Sequence, residues 1–241
     1  SWFISGRHDN NEAFGSHNTG TAEWGYWLQD NLQFSLNYGT AFKEPTFNDL
    51  YFPDVGFFIG NSQLQPEKSN SFAMNINGYQ SWGNWGINIY NTHIRDLIVY
   101  QFPQNENVDR ASISGIEFEA ETQIAGLDIA FNATILDPTD NVTGNILPRR
   151  AKRLANLHMD KQWGAWSVGA SWKVSSYRYD NAANTTRLSG YGIVDVRAAY
   201  QLDQDWSIQA SVSNLFDKEY QTINNYNSLD TIGMVSLSYT P

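Results

Sequence analysis

The chain has 241 residues, room for one large domain, and its net charge of −10 gives nucleic-acid binding little electrostatic support. Cysteine is absent, which excludes disulfide frameworks and thiolate metal sites, and no apolar run reaches the roughly 18 residues that a membrane-spanning helix needs. No secretory leader is read at the start of the sequence, so a mature chain or a fragment is expected.

Apolar and polar residues alternate with period two along most of the chain, the pattern of strands with two unlike faces. About twelve strands are predicted. The first lies near 2–9 and the second near 18–29. Asp30-Asn31 turns into 32–43, where Leu32, Phe34, Leu36, Tyr38 and Phe42 alternate with polar residues. After a long connection over 44–66 come strands near 67–80 and, past a turn at Gly83-Asn84, near 85–101. A loop at 102–109 precedes a strand near 110–123, and Ala125-Gly126 turns into 127–137. Further strands are expected near 151–162, 166–179, 190–201, 206–214 and 231–240.

The turns near 30, 83, 125, 164 and 204 are short, and aromatic residues bracket most of them. Trp24, Tyr26 and Trp27 come before the first, Tyr79, Trp82 and Trp85 surround the second, and Trp163 and Trp166 straddle Gly164-Ala165. Tyr200 and Trp206 flank the turn at Asp203-Gln204-Asp205. The connections at 10–17, 44–66, 102–109, 138–150, 180–189 and 215–230 are longer. Short turns at one end, long loops at the other and aromatic girdles define an all-β expectation: a transmembrane antiparallel up-and-down β-barrel of about twelve strands, forming a single domain over 1–241. The low mean hydropathy fits, because only one face of each strand meets lipid.

The opposite faces carry Glu23, Glu117, Glu119, Glu121, Asp128, Lys173, Asp195 and Arg197. Charges facing hydrocarbon are costly, so these residues are expected to line the lumen, as ion pairs and hydrogen bonds filling the barrel or as a polar conduit. The loop over 44–66 is unusually apolar, and Tyr51, Phe52, Phe57 and Phe58 are its candidate ligand contacts; packing of the loop on itself is the plainer alternative. His8, His17, His93 and His158 are scattered without metal-ligand spacing, so neither a metal nor a cofactor is expected. A membrane-embedded hydrolase would need His93 in register with a nucleophile on a neighbouring strand, and no motif supports one.

Five segments go further. Tyr38-Gly39-Thr40-Ala41-Phe42-Lys43-Glu44-Pro45-Thr46-Phe47-Asn48-Asp49-Leu50-Tyr51 and Gly60-Asn61-Ser62-Gln63-Leu64-Gln65-Pro66-Glu67-Lys68-Ser69 come first. Ala111 to Ala120, Leu147-Pro148-Arg149-Arg150-Ala151-Lys152 and Asn214-Leu215-Phe216-Asp217-Lys218-Glu219-Tyr220 follow in order. Together they resemble the C-terminal half of the barrel of TonB-dependent outer-membrane receptors, most nearly the cobalamin type. The resemblance implies a bacterial outer-membrane location, an external-loop ligand of cobalamin or siderophore type, and contact with the bilayer, lipopolysaccharide and the barrel-assembly machinery. It also implies a larger barrel with an N-terminal plug, which these residues do not include. Without the plug the expectation is a passive pore or a closed scaffold, not energy-coupled transport. Pro241 departs from the aromatic residue that usually ends the family and that the assembly machinery reads. Pairing of the first strand with the last, Trp2/Ile4 against Val235/Leu237/Tyr239, is expected to close the twelve strands on themselves; a piece needing the rest of its barrel is the alternative.

Overall fold

The alternating segments become twelve antiparallel strands in the computed structural model, which describes residues 1–240 apart from the side chain of residue 109. Pro241, and with it the expectation about the terminal residue, lies outside the described residues. The strands of the main sheet are β1 (Trp2–Asn11), β2 (Gly15–Gln29), β3 (Leu32–Lys43), β4 (Glu67–Gln80), β5 (Gly83–Gln101) and β6 (Gln104–Ile124). They continue as β7 (Leu127–Asp140), β8 (Arg153–Trp163), β9 (Trp166–Ser175), β12 (Tyr191–Gln201), β13 (Trp206–Ser213) and β16 (Ile232–Tyr239). Each pairs with the next in this order, so the sheet is up-and-down with no crossover. Two small hairpins, β10 (Arg178–Tyr179) with β11 (Arg187–Leu188) and β14 (Gln221–Ile223) with β15 (Tyr226–Asn227), occupy two of the long connections. A five-residue helix, α1 (Phe47–Tyr51), sits in a third.

Directly opposed residues share a face, so the register sorts the side chains. One row runs Leu36, Met74, Ile89, Ile116, Ile135 across β3 to β7. The adjacent row on the other face runs Ser35, Asn75, Asn88, Glu117, Thr134 across the same strands. The apolar face is not covered by protein: Ile89, Ile116, Ile135 and Trp172 are all exposed. A contiguous apolar sheet face of this size is stable only against hydrocarbon. The short-turn rim is aromatic as predicted, with Trp27 against Tyr79, Trp166 against Tyr200 and Trp206 against Tyr239 at ring separations of 5.8, 4.8 and 4.8 Å.

The buried apolar residues collect at the opposite, long-loop end. Leu97, Val99, Ala111 and Leu147 form a small core, with Ile94, Val108 and Ile113 packed against it. A left-handed residue lies within it. Asp96 takes a positive φ of 57°, while the β5–β6 register is the same on either side of it, Arg95 opposite Arg110 and Leu97 opposite Val108. Ile94, Leu97 and Val99 pack together there, with Leu147 of the later long connection against them.

Three expectations are corrected. The twelve strands do not close on themselves: among the described residues β1 pairs with β2 alone and β16 with β13 alone. All eight residues of β16 and the first seven of β1 are exposed. Closure requires strand number, tilt and stagger to agree. The row that starts at Trp2, at the short-turn end of β1, has climbed to Arg153, at the long-loop end, by β8, and the arc ends with its edges apart. The connections at 10–17 and 102–109 are much shorter than predicted, because β1 and β2 run on to Asn11 and Gly15 and β5 and β6 meet across Phe102-Pro103. The second short turn is Ser81-Trp82, with Gly83 already paired to Gln80.

Candidate functional site: polar wall and external loop

The eight charged residues predicted to face inward share one face. Glu119 lies in a row with Asn132, Asn156 and Lys173, and Glu121 in the next with Ala130, His158, Ser171 and Asp195. Asp128, Asp160, Gly169 and Arg197 form a third row. Glu117 accepts a hydrogen bond from the Asn88 amide at 3.0 Å, and Glu23 stands opposite Asn37. Between these side chains runs a groove of about 390 Å³ lined by Asn75, Asn77, Asn88, Glu117, Glu119 and Asn132.

Glycine makes room for the larger groups on this wall. Tyr90 lies over Gly115 on the neighbouring strand, where an added Cβ would stand 2.5 Å from the ring carbon Cζ. Arg197 reaches across Gly169 to the Asp160 carboxylate, and a Cβ at Gly169 would lie 2.6 Å from its Nε. The sequence pattern did not single out Asp160 or Tyr90, although both sit in phase with the polar positions of their strands.

Asp195 has a structural use. Its carboxylate accepts from the Asn214 backbone N–H at 2.7 Å and from the Ser171 hydroxyl at 3.4 Å. The buried Asn214 side chain then donates to the carbonyls of Lys218 and Leu229 and accepts from the Lys218 N–H. Asp217 accepts from the Thr231 N–H at 3.0 Å. The Asn214–Tyr220 motif is thus a staple for the last loop, as its turn chemistry suggested.

At the long-loop end, the connection 44–66 leans against the projecting tip of β5 and β6. Thr46 caps α1: its hydroxyl accepts from the Asp49 N–H, and the Asp49 carboxylate accepts from the Thr46 N–H at 2.8 Å. Asp49 also accepts from the Asn105 amide at 2.7 Å, and Asn61 donates to the Asn105 carbonyl at 2.9 Å. Asn107 accepts from the Gln65 N–H and donates to the carbonyls of Gln65 and Asp96. Burial pushes the Asp49 carboxyl up, but the hydrogen bonds from Thr46 and Asn105 and the charge of Lys43 outweigh it and hold the group below the usual carboxylate range.

This anchoring leaves Phe47, Tyr51, Phe52 and Phe57 exposed. Phe58 turns inward, its ring 5.5 Å from Phe52 and 6.1 Å from Tyr100, whose hydroxyl donates to the Phe57 carbonyl at 2.6 Å. Three of the four predicted ligand contacts therefore present themselves to solvent, and the fourth supports them. Burial lowers the pKa of the Arg150 guanidinium, and the charge of Glu67 acts the other way.

Among the described residues no histidine ring shares a hydrogen bond with a serine hydroxyl: His158 stands opposite Ser171, whose hydroxyl donates to Asp195 at 3.4 Å. His93 stands opposite Ser112 on the apolar-side face, but the Ser112 hydroxyl donates to Asn141 at 2.9 Å.

An apolar outer face, a charged inner face, aromatic rims and long loops at one end are the marks of a bacterial outer-membrane β-barrel protein. The chain belongs to the TonB-dependent receptor family: the family described as "TonB dependent receptor-like, beta-barrel" matches residues 3–215. Among characterised relatives, the vitamin B12 transporter BtuB of Photobacterium profundum is 34% identical over 239 residues, covering 94% of this chain and 38% of the relative. BtuB of Vibrio vulnificus is 34% identical over 227 residues, covering 91% and 36%. The siderophore receptor PirA from Acinetobacter baumannii superposes with a TM-score of 0.80 at 18% identity, covering 99% of this chain and 43% of that one, a likeness of fold. The chain thus spans a little over a third of the length of the curated relatives it matches.

Proposed function

We propose that this chain supplies part of the wall and the outer vestibule of a receptor for a bulky metal chelate, with a corrinoid such as cobalamin as the first candidate and a ferric siderophore as the second. The observation that carries this reading is the joint presentation of Tyr51, Phe52 and Phe57 on a loop pinned to the β5–β6 tip. Exposed aromatic rings held by hydrogen bonds lose little freedom on binding and suit a flat, amphipathic ligand. Glu23, Glu117, Glu119, Glu121, Lys173, Asp195 and Arg197 would line the passage below. The 34% identity to vitamin B12 transporters favours the corrinoid.

Residues 1–241 are read as one barrel-wall domain that carries no catalysis and needs neither cofactor nor structural metal. In this reading the barrel-assembly machinery inserts it. Alone, it would act at most as a passive pore or a filled scaffold, because nothing in its strands moves a ligand against a gradient. The unpaired edges of β1 and β16 favour a second reading of the assembly, in which further strands complete the ring. A membrane-embedded hydrolase is not favoured, since the Ser112 hydroxyl, opposite His93, donates to Asn141 and the Ser171 hydroxyl, opposite His158, donates to Asp195.

Equilibrium binding of cyanocobalamin and of a ferric catecholate to the detergent-solubilised protein tests the proposal. A Tyr51→Ala/Phe57→Ala variant should lose at least about tenfold in affinity for the chelate that binds, two buried aromatic contacts being worth more than about 1.4 kcal/mol together. Unchanged affinity, or binding of neither chelate by the parent protein, would overturn it. Planar-bilayer recording of the chain alone separates a pore from a filled scaffold.

A further inference from the structure

Arg149 holds a backbone conformation that its side chain has to justify. Its φ is 61°, in the left-handed region where a Cβ crowds the following carbonyl and where glycine or asparagine is usual. Such a residue persists where its surroundings over-determine it. Its backbone N–H donates to the Tyr179 carbonyl at 2.6 Å, a bond that glycine could make as well. The side chain is therefore the part to explain.

That side chain joins three segments at the long-loop end. It belongs to the connection after β7, its Nε donates to the Asp180 carboxylate in the hairpin of β10 and β11 at 2.9 Å, and its Cζ stands 5.7 Å from the centre of the Tyr100 ring on β5. A cation within about 6 Å of a ring centre is attracted to the ring face. The link to the hairpin is duplicated. The Asn184 amide donates to the Ile146 carbonyl and accepts from the Ile146 N–H, both at 2.8 Å, and the Asn145 amide donates to the Ala182 carbonyl at 3.0 Å. The link to Tyr100 is not: among the described residues no hydrogen bond joins the Tyr100 side chain to either segment. Tyr100 in turn seats the aromatic loop. Its hydroxyl donates to the Phe57 carbonyl at 2.6 Å, and its ring stacks on Phe58 at 6.1 Å, with Phe52 5.5 Å from Phe58. Three backbone N–H groups mark the seated state. Val55 donates to the Phe58 carbonyl at 3.1 Å, Ile59 to Pro103 at 3.0 Å and Gly60 to Phe52 at 2.9 Å.

We infer that Arg149 is a positioning residue for ligand capture: standing over Tyr100, it fixes the ring that seats Phe57 and Phe58, so that Phe52 and Phe57 are already presented when a chelate arrives. Asp180 holds the guanidinium in place, and a ring and loop ordered in advance lose little freedom on binding. The capture half of the inference rests on the cargo reading above; the seating half stands without it.

The test is Arg149→Gly, which keeps the backbone N–H, suits the left-handed conformation and removes the cation. Amide exchange is followed first, on the ligand-free protein in detergent. Exchange at Val55, Ile59 and Gly60 should rise at least about fivefold through local opening, while the midpoint of heat-modifiable gel migration does not fall. Affinity for whichever chelate the parent binds, cyanocobalamin or a ferric catecholate, should drop roughly tenfold, because the rings must now be ordered on binding. In a Tyr100→Leu background the same substitution should alter exchange at the three amides by less than about twofold, since the ring through which it acts is gone.

Unchanged exchange at these amides, or equal effects in the two backgrounds, overturns the inference. So does a lowered midpoint with faster exchange throughout β5 and β6, which would leave Arg149 a role in stability alone. Faster exchange with unchanged affinity overturns the role in capture. A parent protein that binds neither chelate removes the cargo reading, and the exchange result then decides the seating by itself. Should the glycine variant fail to fold, Arg149→Asn, which also tolerates the left-handed region, takes its place.

Discussion

Arg197 on β12 pairs with Asp160 on β8 by passing over Gly169 of the strand between them. Both side chains are about 40% exposed, so the pair is partly hydrated and its direct contribution to stability is modest, below about 1 kcal/mol. Its effect on the space inside the wall is larger, because the guanidinium is held over Gly169.

Gly169→Val should therefore push Arg197 off the wall. Overpacking costs about 1–3 kcal/mol, and the freed cation would project toward the middle of the polar face. A lower midpoint in heat-modifiable gel migration and a changed single-channel conductance or ion preference are expected. Wild-type values for both would mean that the valine fits without moving the pair.

Gly115→Val makes the same test beneath Tyr90, where the tyrosine ring leaves no room for a Cβ. Destabilisation of about 1–3 kcal/mol is expected, and Tyr90→Ala in the same background should recover part of it. Purely additive losses in the double variant would separate the two residues.

The connection 44–66 should come loose in acid. The Asp49 carboxyl is held below its ordinary value when the loop is docked. The stabilisation this supplies is complete above the unfolded-chain value, about 3.9, and is lost as pH falls through the lower docked value. Cleavage within 53–57 by an acid protease should rise below about pH 4 in the parent protein. Asp49→Asn should flatten that dependence, and a parallel rise in both proteins would place the titrating group elsewhere.

Asn107→Ala should release the far end of the same loop. It removes two hydrogen bonds to Gln65 and one to Asp96, at about 2 kcal/mol together for partly exposed groups. Faster amide exchange across Leu64–Glu67, with unchanged exchange in β12 and β13, is the expected pattern.

The strands that meet lipid were legible because hydrocarbon on one side forces strict alternation, as in Leu32 to Tyr38 or Trp166 to Trp172. Where strands leave the membrane that force is gone. Gln104-Asn105-Glu106-Asn107 is polar at every position and reads as a loop, yet it is strand, held by its β5 partner and by the docked connection. The lumen candidates were likewise legible as polar positions, but their pairings were not. That Arg197 meets Asp160 and not Glu121 depends on register, which no local pattern carries. The open edges escaped for the same reason: apolar faces of compatible type say nothing about whether two strands arrive side by side.

The tip of β5 and β6 has one more implication. From Arg95 to Gln101 the strand continues six positions, about 20 Å along its axis, beyond the membrane-facing rows. Phe57 and Phe102 are both exposed at this height. A molecule approaching from the long-loop side would thus meet exposed aromatic rings before it reached the charged side chains of the polar wall.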